Sequence, residues 1–171
     1  MMTSIQGAKI SGFAAYLPAI LPLSATEYRQ IYEHNRHRIY TMAFWMTDNE
    51  LAAEELMTTT FCCAFSQNIE PTSEQIDRAL VAVLRELVPL GTLTLDCAPC
   101  SEVRSVRSNI LRVDLERAVV QLPSTEKLIF IMHDVERYDH PRIARTLGLT
   151  EEQTQLGLHQ ARLYLRQLLG R

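Results

Sequence analysis

The side chains best suited to chemistry fall in three places. Cys97 and Cys100 flank Ala98 and Pro99 as a Cys-x-x-Cys pair, a spacing that serves a redox switch or half of a zinc site. Zinc usually takes four ligands and no second such pair exists; Cys62 and Cys63 could complete the set, but neighbours on a helix point in different directions. A regulatory disulfide, a metal and inert thiols therefore stay open, and the sequence assigns no metal ligand and no cofactor. Glu54 and Glu55 are adjacent carboxylates that placement on a helix surface explains. The five His are scattered, no Ser, His and Asp set is suggested by motif, and there is no Gly-rich phosphate loop, so nothing points to an enzyme. The third place is Arg142 and Arg145 followed by Gln153, Thr154, Gln155, His159 and Arg162. Arg grips phosphate, Gln can pair with adenine, and His meets a phosphate or a base edge. A solvated helix face uses the same residue types.

What positions this third group is the stretch Asp134 to Leu169. Asp139 can N-cap a short helix with Pro141 in its first turn, Ile143, Ala144 and Leu147 give it an apolar face, and Gly148 stops it. Thr150 and Gln153 form a capping box, and the helix they open carries Leu158, Ala161, Leu165 and Leu168 inward at spacings of three and four. Two helices joined by a tight Gly-containing turn make a helix-turn-helix, whose second helix normally lies in the DNA major groove.

Asp134, Val135, Glu136, Ile143, Ala144, Leu147, Gly148, Leu158, His159, Ala161, Arg162 and Leu165 fall, without a gap, in step with a known pattern. The stretch resembles the promoter-reading domain of bacterial RNA polymerase sigma factors of the extracytoplasmic-function (ECF) group. Upstream, Tyr32, His37, Ile39 and Tyr40, then Ala53 to Phe65, resemble the first domain of the same family. The resemblance covers about residues 25 to 88 and 112 to 169. It implies docking on RNA polymerase core, promoter DNA as a partner, no cofactor, and a cytoplasmic protein that an anti-sigma or other regulatory protein could control. It also carries over Glu54, Glu55, Thr58 and Thr59 as the polymerase-facing set.

The whole chain then reads as all-α, with two small helical domains. Residues 1–24 are an N-terminal extension with an apolar run, Ile10 to Leu23, that Pro18 and Pro22 interrupt. That run is too short to span a bilayer, and its weak positive flank makes a poor secretory signal, so no membrane is expected. Residues 25–88 hold three helices: one opened by a Ser24 and Glu27 capping box, one by Thr47 and Glu50, and one after Pro71 and Thr72. Residues 89–111 mix Pro, Gly, Thr, Cys and Ser with little periodicity, as a tether between modules does. Residues 112–171 form a four-helix domain in which Ser124 can cap the second helix.

The departures from the family fall on functional surfaces. Gln155, Gly157 and Gln160 stand where Lys or Arg is usual, Leu163 and Tyr164 replace further basic sites, and Thr58 and Thr59 replace the usual Gln and acid. The third helix offers only Arg78 and Arg85 and no aromatic for unpaired bases. Residues 25 to 88 carry five Arg against ten Asp and Glu, and the 171-residue chain has a net charge of -3 and a pI near 6.0. Such a surface does not collect DNA unaided. A second function class therefore stands beside the first: a sigma-like scaffold that has lost DNA binding and acts through protein-protein contacts, with Leu156, Leu163 and Tyr164 as its patch.

Overall fold

The structure is a computed structural model that describes residues 24–67, 70–95 and 111–170; Cys97, Cys100 and the apolar N-terminal run lie outside them. Among the described residues it is helical throughout, as the fold class read from the sequence requires. The order is α1 (Ala25–Thr47), α2 (Glu50–Gln67), α3 (Ser73–Leu87), α4 (Arg112–Val120), α5 (Ser124–Phe130) running into a π-helical turn (Ile131–Val135), α6 (His140–Leu147) and α7 (Glu151–Leu169).

Local chemistry sets most of these bounds. The Ser24 hydroxyl accepts from the Glu27 backbone N–H and the Glu27 carboxylate from that of Ser24, closing the expected box at the start of α1. Thr72 and Gln75 do the same for α3. The box expected from Thr47 and Glu50 does not form. Thr47 donates its hydroxyl back to the Ala43 carbonyl, and Asn49, as good a cap, accepts from the Ala52 N–H instead. Ser124 does not cap α5 either. Pro123, in extended backbone, holds the cap position, which moves Ser124 into the first turn, and no side chain accepts there.

Three apolar faces from α1, α2 and α3 meet around Ile39, Met42, Leu56, Phe61, Ile76, Leu80 and Leu84. The same cluster runs on into Leu128, Ile129, Ile131, Met132, Ile143 and Leu147, so both sets of helices share one core. Here α3 lies against α6, and α1 against α5 and the π-helical turn. A second, smaller cluster of Ala118, Val119, Leu122, Ala161 and Leu165 joins α4 to α7.

The first part of the stretch read as a tether is pinned to this core. Glu126 is fully buried, and its Oε1 accepts from the N–H groups of Thr94 at 2.5 Å and Leu95 at 2.8 Å. Thr125 Oγ1 accepts from the Gly91 N–H at 3.2 Å. A carboxylate that accepts two backbone N–H groups tolerates burial where a bare one does not. Gly157 makes the docking possible: a Cβ there would stand 2.7 Å from Ile129 Cδ1 and 2.8 Å from Leu93 Cδ2.

Candidate nucleic-acid interface

The helix-turn-helix is built as its residues dictate. Asp139 accepts from the Arg142 N–H at 2.9 Å and caps α6. Gly148 ends it in the left-handed region at φ 69°, where a side chain would be strained. Thr150 and Gln153 close a reciprocal box that opens α7 two residues later. Leu158, Ala161 and Leu165 face the core, while Leu168 is only half-buried. Gln153, Gln155, His159 and Arg162 are exposed along the outer face. Glu151 and Glu152 are exposed in the first turn, which suits the helix dipole but sets negative charge at the end that would enter a groove.

Thr154 corrects the sequence expectation of a base-reading side chain. It is fully buried, its hydroxyl donates to the Glu151 carbonyl at 2.8 Å, and it turns toward His140. A Thr at this point of the first turn lies over the preceding turn rather than beside its exposed neighbours.

The cations expected at phosphate all have partners within the chain. Arg162 lies across the Asp134 carboxylate with Nη2 at 2.5 Å and Nε at 3.1 Å. Burial works to raise the Asp134 carboxyl, but the bonds from Arg162 and His133 outweigh it and hold the group below the usual carboxylate range. Arg145 reaches Glu74 of α3 at 3.2 Å, and that bond holds the Glu74 carboxyl low. Arg142 donates to Asp77 of α3 at 2.7 Å and lies 3.8 Å over the Tyr138 ring. Even Arg78 and Arg85 of α3 are engaged, the first with Glu74 at 2.7 Å and the second with the Leu147 carbonyl at 2.7 Å.

Asp77 is the residue that sequence reasoning passed over. Its side chain is fully buried, with Arg38 of α1 on one oxygen and Arg142 of α6 on the other. Arg38 also donates to the Tyr138 hydroxyl oxygen and, at 2.6 Å, to Asn35 Oδ1, which accepts from Ser73 Oγ as well. Burial, with the Asp77 charge beside it, pushes the Tyr138 hydroxyl above its ordinary value, so it stays neutral. A signal was present. Asp77 falls in step with Leu80, Val81 and Leu84 on the inward face of α3, where a charge demands a partner.

A model of the sigma-70 region 4 family matches residues 112–165, the span of α4 to α7 up to Leu165. The match covers the second helical set, about a third of the chain. The matched span is the one that holds the helix-turn-helix of α6 and α7. Its fold is similar to that of the sigma factor RpoE from Bartonella quintana, solved in complex with the anti-sigma factor NepR; the TM-score is 0.62 at 14% identity, covering 84% of this chain and 97% of that one. No curated protein matches the chain in sequence.

The remaining expected positions divide by exposure. On α2, Glu54, Glu55 and Thr58 are exposed and Thr59 is half-buried; both Thr hydroxyls donate back to carbonyls one turn earlier, at 2.9 Å. Of the patch considered for a scaffold, Leu156 is exposed, whereas Leu163 is half-buried and Tyr164 packs on the α4 and α7 cluster. The three do not form one exposed patch. Among the described residues no group of three or more His, Cys, Asp or Glu could hold a metal, and no helix is long and apolar enough to cross a membrane.

Proposed function

We propose that the protein is a sigma factor of the ECF group that docks on RNA polymerase core and contributes promoter recognition through α6 and α7. The observation that carries this reading is the outer face of α7, where Gln155, His159 and Arg162 share one exposed stripe behind a capped turn, with Gln153 exposed in the first turn on another side of the helix. Arg142 and Arg145 are the phosphate contacts in the DNA-bound form. The polymerase-facing surface is the open side of α2, with Glu54, Glu55, Thr58 and Thr59. Residues 25–88 and 112–171 act as the two working units, joined by 89–111. The protein acts in the cytoplasm, without a cofactor and without catalysis. An anti-sigma or other regulatory protein is a further partner, as RpoE's solved complex with NepR suggests.

With few free cations, this sigma factor reads DNA only when the polymerase holds it there. The test is a pull-down with purified core enzyme, followed by polarisation titrations of the assembled complex on promoter-length DNA at two salt concentrations. Each phosphate contact contributes about one unit to the salt slope, so Arg142→Ala lowers the slope by about one. Failure to bind core, by a folded helical protein, would overturn the reading.

A further inference from the structure

The carboxylate that holds Arg162 has a second partner. His133 lies in the π-helical turn, and its Nδ1 is 2.7 Å from Asp134 Oδ1, the oxygen that Arg162 Nη2 also reaches at 2.5 Å. The His133 ring stacks on that of His140, the first residue of α6, with centroids 4.9 Å apart and planes 26° apart. The Asp134 carboxyl is held below its usual range, and an ionised carboxylate only accepts, so His133 Nδ1 carries a proton and a second proton goes to Nε2. We propose that His133 is a positioning residue for Arg162: through the shared Asp134 carboxylate its charge sets how readily Arg162 leaves for a DNA phosphate, so that duplex binding takes up a proton. The inference rests on the reading of α7 as the DNA-contacting helix.

The coupling follows from the charges that meet at Asp134. With His133 neutral, a departing Arg162 leaves a part-buried anion facing a neutral ring. With His133 protonated, two cations converge on Oδ1, and a departing Arg162 leaves an intact ion pair behind. Release is easier in the protonated form. By reciprocity, a phosphate that takes Arg162 makes His133 hold its proton more firmly. His140 limits the uptake to one proton, because a second charge on a ring 4.9 Å away is repelled, and it is His133 that has the carboxylate. Histidine changes charge between about pH 5 and 8, so the coupling works near neutrality. Among the surrounding charges, His37 and Arg38 of α1 act on Glu136, just past the turn. On α5, Glu126 holds the Thr94 and Leu95 N–H groups, and Asp48 acts on Lys127. On α3, Glu74 and Asp77 hold Arg145 and Arg142. Asp139 caps α6, Arg137 is exposed, and Glu151, Glu152 and Arg166 are exposed on α7. His159, exposed on the Arg162 stripe, is the rival site for the proton.

The first readout uses the free full-length chain. The His133 ring protons are titrated by NMR in wild type, Arg162→Gln and Asp134→Asn, with circular dichroism as the folding check. The proposal expects Arg162→Gln, which leaves Asp134 to His133 alone, to make the ring take its proton about threefold more strongly and so titrate about half a pH unit higher. Asp134→Asn should move it the other way. The second readout is the polarisation of a labelled mixed-sequence duplex of promoter length, with the chain assembled on polymerase core at one salt concentration. From about pH 8 to about pH 6 wild type should gain about threefold more in affinity than His133→Gln, the contribution of core being common to both. His159→Gln should keep that gain, and His133→Lys, a permanent cation, should bind at the higher pH as wild type does at the lower. An unmoved His133 titration in folded Arg162→Gln would overturn the proposal, and it decides the matter if His133→Gln does not fold. A pH gain that survives His133→Gln, or that is lost in His159→Gln instead, overturns it as well. Absence of duplex binding at either pH removes the DNA reading and the proposal with it, whereas pH-independent binding removes the proposal alone.

Discussion

Replacing Gly157 by Ala pits two opposed effects of known size against each other. In an exposed helix interior the change stabilises by about 1 kcal/mol, because Ala loses less backbone freedom than Gly. Here the new methyl would stand 2.7 Å from Ile129 Cδ1 and 2.8 Å from Leu93 Cδ2. Both atoms are side-chain tips; Ile129 is wholly buried, so the half-buried Leu93 is the side chain with more room to shift. Overpacking of this kind costs about 1 to 3 kcal/mol. Shifting Leu93 also strains the adjoining bonds from the Thr94 and Leu95 N–H groups to Glu126, and a buried acceptor left without partners costs about 1 to 3 kcal/mol. Because those bonds are strained rather than lost, the overpacking is the larger cost, and it exceeds the gain by up to about 2 kcal/mol. At about 2 to 4 °C per kcal/mol for a chain of this length, Tm falls by up to about 8 °C. Thermal unfolding followed at 222 nm reads the shift, and amide exchange at Thr94 and Leu95 should quicken in step. A rise in Tm would refute the reasoning, because it would mean that α7 is open at Gly157 and that the connecting stretch does not rest on it.

Glu126→Ala should destabilise by about 1 to 3 kcal/mol, because it removes the buried acceptor that holds the Thr94 and Leu95 N–H groups; urea unfolding measures it. The Arg162 bond to Asp134 sets a pH dependence whose sign follows from the lowered carboxyl. A folded-state value below the unfolded one gives a contribution that is complete above the ordinary carboxylate range near about 4 and is lost as pH falls through the folded value. The stability difference between wild type and Asp134→Asn should therefore be greatest near neutrality and vanish in acid, as denaturant midpoints across pH would show. Asn49→Ala should cost about 1 kcal/mol through the lost cap on α2, where Thr47→Ala, at the position first expected to cap, costs less.

What the sequence made legible was what periodicity and capping chemistry encode. The reciprocal pairs Ser24 with Glu27 and Thr150 with Gln153 each need two residues at one spacing, and both close where the spacing puts them. The Thr47 box failed because Asn49, nearer the helix start, competes for the same orphan N–H groups. The π-helical turn left no mark in the sequence. It arises as α5 runs on past Phe130, and a single wider turn does not disturb the spacing of Leu128, Ile129, Ile131 and Met132, all of them buried. Thr154 was misplaced for a related reason: adjacent residues on a helix differ by 100°, so its neighbours Gln153 and Gln155 can be exposed while it is not.

Charge was the least legible property, and it bears most on function. Counted along the chain, the ten acids of residues 25 to 88 look like a surface that repels DNA. In the folded molecule Asp77 and Glu74, two of those acids, hold arginines that lie more than sixty positions downstream, at 142 and 145. A local sum cannot distinguish a solvated carboxylate from one that neutralises a distant guanidinium, because the pairing belongs to the packing of α3 on α6. Packing therefore treats the two arginines differently: Arg142, with 29% of its side chain exposed, is held by a fully buried carboxylate, whereas Arg145, at 55%, keeps more of its charge in solvent, where its pair with Glu74 is screened.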